Sequence, residues 1–171
     1  MNLSFSSSWA RGDVFLQLED YLRDFEFHIT TKDEGRPWGG FFVIDEKDSD
    51  RFLALFYSSL KPADFPAGYK LSPKVLIVAP QKRLSWQYHH RRAELWKLIG
   101  GSASVITSET DREGAAILFK EGDTFVLKQG MRHRLIGGEG WAVVAEIWQH
   151  TDGTHPSNED DIVRLQDDFG R

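Results

Sequence analysis

The segment Leu84-Ser-Trp-Gln-Tyr-His-His-Arg-Arg-Ala-Glu-Leu-Trp96 decides how this chain is read. Gln87, His89, His90 and Glu94 crowd into it, and a second segment, Gly130-Met-Arg-His133-Arg-Leu135, adds another imidazole. Two imidazoles, a carboxylate and an amide oxygen suffice to hold one divalent cation and leave positions open for a ligand. On a strand, alternate side chains share a face, so Gln87 and His89 point together and His90 points away. Glu94 follows a short turn. A hairpin there would return Glu94 beside Gln87 and His89, and His133 would open a neighbouring strand after the turn Lys128-Gln-Gly130. Four ligands from three adjacent strands are therefore expected inside one barrel.

The surrounding sequence supports a β-rich frame. From Ser72 onward, short apolar runs alternate with turn residues: Lys74–Val78, Leu84–His89, Leu95–Ile99, Ser104–Thr107, Ala115–Phe119, Thr124–Leu127, His133–Ile136 and Trp141–Trp148. Many short strands at this spacing predict an antiparallel sandwich or barrel. Upstream, Val14, Leu18, Tyr21, Leu22 and Phe25 recur at helical spacing, with Asp13 as a candidate cap. Arg36-Pro-Trp-Gly-Gly40 breaks that pattern, Phe41–Ile44 reads as a strand, and Phe52, Leu53 and Phe56 suit one short helix. Pro62, Pro66 and Gly68 mark a loop. The expected division is a helical extension over 1–35 and a barrel over 36–171.

Composition narrows the function classes. The 26 acidic and 21 basic residues give a net charge of −5 with no long basic run, so nucleic acid and anionic membrane are poor partners. No cysteine is present, which rules out disulfides and thiolate-bound metal. The N-terminus lacks a basic stretch followed by an apolar one, and no apolar run approaches the ~18 residues needed to span a bilayer. A cytoplasmic location is the expectation. Twelve Phe, six Trp and four Tyr suit a β-rich core, and Trp9 or Phe15 could line a homodimer interface.

The two ligand-bearing segments resemble the signature motifs of the cupin superfamily. The first has the form G-x5-H-x-H-x4-E-x6-G, with Gln87 at the first His, then His89, Glu94 and Gly101; Gln81 stands where the leading Gly is usual. The second is matched by Gly122, Gly130 and His133, with Lys128 where Pro is usual. A closer resemblance is to the type II phosphomannose isomerase domain, through Arg36-Pro-Trp-Gly39, the 84–94 block, His133-Arg-Leu135 and the tail Glu159-Asp-Asp-Ile-Val-Arg164. This chain departs from it at Leu95, where His is common.

The resemblance implies an all-β, double-stranded β-helix (a jelly-roll cupin barrel) with an added N-terminal helix. It implies a metal held by Gln87, His89, Glu94 and His133, with zinc expected and cobalt, nickel, manganese or iron admitted by the same donors. It implies an aldose–ketose isomerase acting on a sugar phosphate, mannose 6-phosphate first, with Arg92 in catalysis. Glu146, in the apolar run Val143–Trp148, is the candidate base. Arg92, Arg164 and Lys97 are candidates for the phosphate, and Arg36 and Trp38 for ordering the barrel mouth. Rival readings are a non-catalytic binder of a sugar phosphate or nucleotide sugar, and an iron-dependent oxygenase using His89, Glu94 and His133.

Overall fold

A computed structural model describes residues 3–66 and 70–170. Two antiparallel sheets face each other. The six-stranded sheet has the order β1-β2-β3-β10-β5-β8, with β1 at Ile29–Arg36, β2 at Gly39–Ile44, β3 at Leu71–Val78, β5 at Arg92–Gly100, β8 at Thr124–Leu127 and β10 at Ala142–His150. The five-stranded sheet has the order β11-β4-β9-β6-β7, with β4 at Trp86–His89, β6 at Ala103–Ser108, β7 at Ile117–Phe119, β9 at Arg132–Gly137 and β11 at Ile162–Gln166. This is the expected cupin jelly roll.

The central strands of the larger sheet, β3 and β10, are buried on both faces, which explains why β10 is apolar almost throughout rather than alternating. Its inner face meets the smaller sheet through Leu76, Val78, Trp96, Leu98, Val144 and their partners Val105, Phe119 and Leu135. Its outer face is covered by α1, Arg11–Asp24, and α2, Ser49–Phe56. Val14, Phe15, Leu18 and Leu22 of α1 are fully buried there, and burying each such side chain stabilises by roughly 1.5–3 kcal/mol. The N-terminal helix therefore completes the core. Phe15 packs against Phe42 at 5.7 Å between ring centroids, so it is unavailable to a dimer interface; Trp9 remains 41% exposed.

Two other expectations change. Residues 29–36 form a strand where no strand was expected, and a boundary at 35/36 cuts through it. Its sequence, Ile-Thr-Thr-Lys-Asp-Glu-Gly-Arg, shows little apolar alternation because it is the edge strand and faces solvent over most of its length. Asp13 lies in the first turn of α1, while Ala10 occupies the cap position without a side-chain hydrogen bond. Of the loop predicted at Pro62, Pro66 and Gly68, Gly68 lies outside the described residues.

Two glycines fix the turns that matter for the site. Gly130, at φ +77°, precedes β9, and its N–H donates to the His89 carbonyl at 3.0 Å. Gly101, at φ +79°, turns β5 into β6, where a Cβ would meet the Trp141 carbonyl oxygen at 2.1 Å.

Candidate metal centre

β4 and β9 are neighbours, and their register sets Gln87 opposite His133. The period-two alternation of β4 adds His89 to the inner face and leaves His90 exposed, as strand parity predicts. Glu94 arrives differently from the expectation. β4 and β5 do not form a hairpin; they belong to opposite sheets. The chain crosses the sandwich at His90–Arg91, and Glu94 faces the two imidazoles from the other wall. A jelly roll turns corners between its sheets, so the turn following β4 changes sheet instead of closing a ladder.

The atoms that converge are His89 Nε2, Glu94 Oε1 and Oε2, and His133 Nε2. His89 Nε2 lies 3.1 Å from Glu94 Oε1, and His133 Nε2 lies 3.4 Å from Glu94 Oε2. All three residues are about 2% exposed or less. The opposite ring nitrogens fix the tautomers. His89 Nδ1 is 3.2 Å from the Asp161 carbonyl and His133 Nδ1 is 2.9 Å from the Met131 carbonyl. A carbonyl can only accept, so both Nδ1 atoms donate and both Nε2 atoms are the unprotonated nitrogens; that of His133 is bare, and that of His89 accepts from Arg92 Nη2.

His133 Nε2 and Glu94 Oε2 are left buried with no hydrogen-bond partner. Two orphaned acceptors facing each other cost about 1–3 kcal/mol apiece unless a cation sits between them. Backbone-anchored Nδ1 atoms with inward Nε2 atoms are the usual support of metal-ligating histidines. His89, Glu94 and His133, whose ligand atoms all lie within 4.8 Å of one another, therefore form a cluster that can hold a metal ion.

Charge at the cluster follows from burial and neighbours. Burial pushes the Glu94 carboxyl up, but His89, Arg92 and His133 outweigh it and hold the group well below the usual carboxylate range. Burial lowers His133 to about 4, so its ring is neutral and ready to ligate at pH 7. Glu146 behaves oppositely. Burial, with the nearby Glu94 charge, raises it to about 8 against the pull of Lys74, Arg92 and the Trp96 N–H. A carboxyl protonated at neutral pH cannot accept a proton, which speaks against Glu146 as a base. Its Oε1 instead accepts from Trp96 Nε1 at 2.9 Å.

The remaining sequence candidates separate. Arg92 is buried and committed: Nε donates to Glu94 Oε1 at 2.7 Å, Nη2 to His89 Nε2 at 3.1 Å, and Nη1 to Ser157 Oγ at 2.9 Å. Its guanidinium also lies 3.5 Å from the centre of the Trp148 ring. It orients two members of the cluster. Gln87 lies at the cluster, its Oε1 accepting from Ser85 Oγ at 2.5 Å and its Nε2 3.5 Å from His89 Nε2; half a turn of the amide exchanges the two atoms. Arg164, opposite Gln87 in register, reaches the cavity wall. Lys97 does not: its neighbours Trp96 and Leu98 point inward, and Lys97 lines a surface depression with Leu3 and Tyr21 on the other side of the sheet.

Three residues of the site escaped the sequence reading. Lys74 is buried on the inner face of β3 beside Leu76, and a lone Lys at the inner parity of an apolar strand was the available signal. Asp161 accepts from the His90 and Arg91 N–H groups at 3.2 and 3.0 Å, clamping the turn that delivers Glu94. Glu159 pairs with Lys74. Asp161 and Glu159 sit in one 3-10 turn, Glu159–Asp161, and reach the site only through tertiary contact.

The barrel cavity in front of the cluster measures about 70 Å³ and is walled by Trp38, Phe41, Lys74, Glu94, Glu146 and Arg164, among others.

Against this geometry the comparisons fall into place. Residues 56–167 match the family described as Mannose-6-phosphate isomerase C-terminal. The chain belongs to that family. Among curated relatives, the xanthan biosynthesis protein XanB of Xanthomonas campestris pv. campestris is 29% identical over 136 residues, covering 80% of this chain and 23% of XanB. The mannose-1-phosphate guanylyltransferase of Salmonella montevideo is 26% identical over 144 residues, covering 84% of this chain and 24% of its own length. The chain thus spans about a quarter of the length of the curated relatives it matches. Among solved structures, KdgF from Halomonas sp. superposes with a TM-score of 0.51 over 76% of this chain and 91% of KdgF at 12% identity, a likeness of fold. The expectation of an isomerase is overturned here. The curated relatives are named as a guanylyltransferase and as biosynthesis proteins, and the guanylyltransferase name denotes a transferase.

Proposed function

We propose that this chain is a metal-holding cupin module that binds a sugar phosphate in its barrel without turning it over. The observation that carries this reading is the pairing of the His89–Glu94–His133 cluster with a cationic wall, Arg36, Lys74, Arg92 and Arg164, around one cavity. A phosphate monoester is matched by such cations, and by arginine's fork in particular. Mannose 6-phosphate is the first candidate, in keeping with the family. The ion is zinc, with Gln87 as its fourth ligand: neutral imidazoles, one carboxylate and an amide oxygen suit it. When bound it supplies a Lewis acid that attracts sugar oxygens. The chain's own groups do the rest: Arg92 holds Glu94 in place, Asp161 and Met131 fix the imidazole tautomers, and protonated Glu146 supplies a hydrogen-bond donor beside the cavity.

Elemental analysis followed by thermal melting tests the reading. Zinc-loaded protein at 100 times the dissociation constant of mannose 6-phosphate should gain ~2.7 kcal/mol of stability. After long incubation the sugar phosphate should be recovered unchanged. Absence of any stabilisation, or accumulation of fructose 6-phosphate, would sink the proposal.

A further inference from the structure

The cavity as it stands is smaller than a sugar phosphate needs, and the Glu159 carboxylate lines it beside the buried Lys74 ammonium. Sites for small organic ligands occupy roughly 300–1,000 Å³, against about 70 Å³ here. Lys74 is a buried cation in the apolar part of the cavity wall. Its ammonium stands 3.4 Å from the centre of the Trp148 ring and 5.2 Å from that of Phe41, and its side chain is 6% exposed. A buried ammonium needs an anion. Across the strands it faces Glu146, which burial keeps protonated at neutral pH. Its ion-pair partner among the described residues is Glu159, whose Oε1 lies 2.5 Å from Nζ. Glu159 is attached differently from Lys74. Its side chain is 56% exposed, and it belongs to the short 3-10 turn leading into β11, the edge strand that pairs with β4 alone. Glu159, Ile162 and Arg164 of this segment all line the cavity. The carboxylate can leave without breaking a core strand, whereas Lys74 is fixed in β3 between β2 and β10.

We propose that Lys74 is the phosphate subsite of the barrel and that Glu159 is its resident anion, displaced when a phosphate monoester enters. Outward rotation of the Glu159 side chain alone, with Asp161 of the same turn kept on the His90 and Arg91 N–H groups, removes the competing charge and vacates space at the cavity wall. This inference rests on the reading of the barrel as a sugar-phosphate site.

A purely structural tether and a resident competitor differ in the sign of one effect. If Glu159 merely ties down the C-terminal segment, neutralising it loosens the wall and leaves affinity equal or lower. If it competes, neutralising it raises affinity. Calorimetric titration of zinc-loaded wild-type, Glu159→Gln and Lys74→Met proteins with mannose 6-phosphate, and with mannose as the phosphate-free control, decides. Glu159→Gln should bind mannose 6-phosphate on the order of tenfold tighter, as when a competing state filled about nine-tenths of the time is removed. Lys74→Met should bind it at least about tenfold more weakly. Mannose affinity should be the same in all three proteins. Should Lys74→Met fail to fold, the sign of the Glu159→Gln effect still decides. Wild-type binding with equal or weaker binding by Glu159→Gln overturns the competitor and leaves the sugar-phosphate site standing. No binding of mannose 6-phosphate by any of the proteins overturns both.

Discussion

His89 Nε2 and Glu94 Oε1 meet at 3.1 Å although their strands lie in opposite sheets. The contact depends on the corner at His90–Arg91, and the corner depends on Asp161, which accepts both of its N–H groups. The C-terminal segment is therefore part of the metal centre: through its backbone carbonyl Asp161 also fixes the His89 tautomer.

Glu94→Ala and His133→Ala should each abolish bound metal, because each removes one of the converging donor residues. Elemental analysis of the purified proteins checks this, and wild-type metal in both would refute the cluster. Glu94→Ala should also destabilise the metal-free protein by about 3–5 kcal/mol, since it leaves the Arg92 guanidinium buried without its carboxylate. Urea titration in EDTA measures that loss.

Lys97→Ala should leave metal content and sugar-phosphate affinity unchanged, and stability within about 0.5 kcal/mol, since Lys97 points away from the barrel interior. A loss of affinity would place the phosphate on the outer side of the sheet and overturn the site as drawn.

This contrast shows what the sequence made legible. Strand positions from Lys74 to Trp148 and the inward pair Gln87 and His89 followed from period-two patterning, a local property. The same parity argument, applied to Glu94, Trp96 and Leu98, excludes Lys97 once the inner face of β5 is known. Which sheet receives β5 is a tertiary outcome, so the hairpin expected to carry Glu94 was wrong while its convergence with His89 held. Strand β1 was invisible because an edge strand in solvent needs no apolar face. Glu159 and Asp161 were seen as a family tail without a role, because their partners Lys74, His90 and Arg91 lie far away in the chain.

Acid should release the metal and weaken the fold together. His133 is lowered to about 4 in the folded protein from an ordinary value of 6.5. A depressed folded value means the stabilisation is present above pH 6.5 and is lost as pH falls toward 4. For His133 alone this amounts to about 3 kcal/mol, and Glu94, also held low, adds in the same direction on further acidification. Urea titrations of EDTA-treated protein at pH 7 and pH 4.5 should show this loss. His133→Gln should reduce it; an unchanged pH slope in that variant would assign the acid lability to other groups.

Glu146 should produce the opposite slope. Its folded value of about 8 lies above the ordinary 4.5, because burial and the Glu94 charge disfavour the ionised form. A raised folded value means the contribution is fully present below pH 4.5 and is lost as pH rises through 8, where the unfolded chain ionises freely and the folded one does not. Glu146→Gln keeps an oxygen to accept from Trp96 Nε1 and removes the titration. In EDTA the variant should match the wild type at pH 4.5. At pH 8 it should exceed it by a few kcal/mol, on the order expected for a shift of this size. Lys74 loses no ion pair in the exchange, since the facing carboxyl is already protonated at neutral pH and the ammonium keeps Glu159. Equal stabilities of the two proteins at pH 8 would mean that Glu146 is ionised in the fold, with Lys74 as its counter-ion.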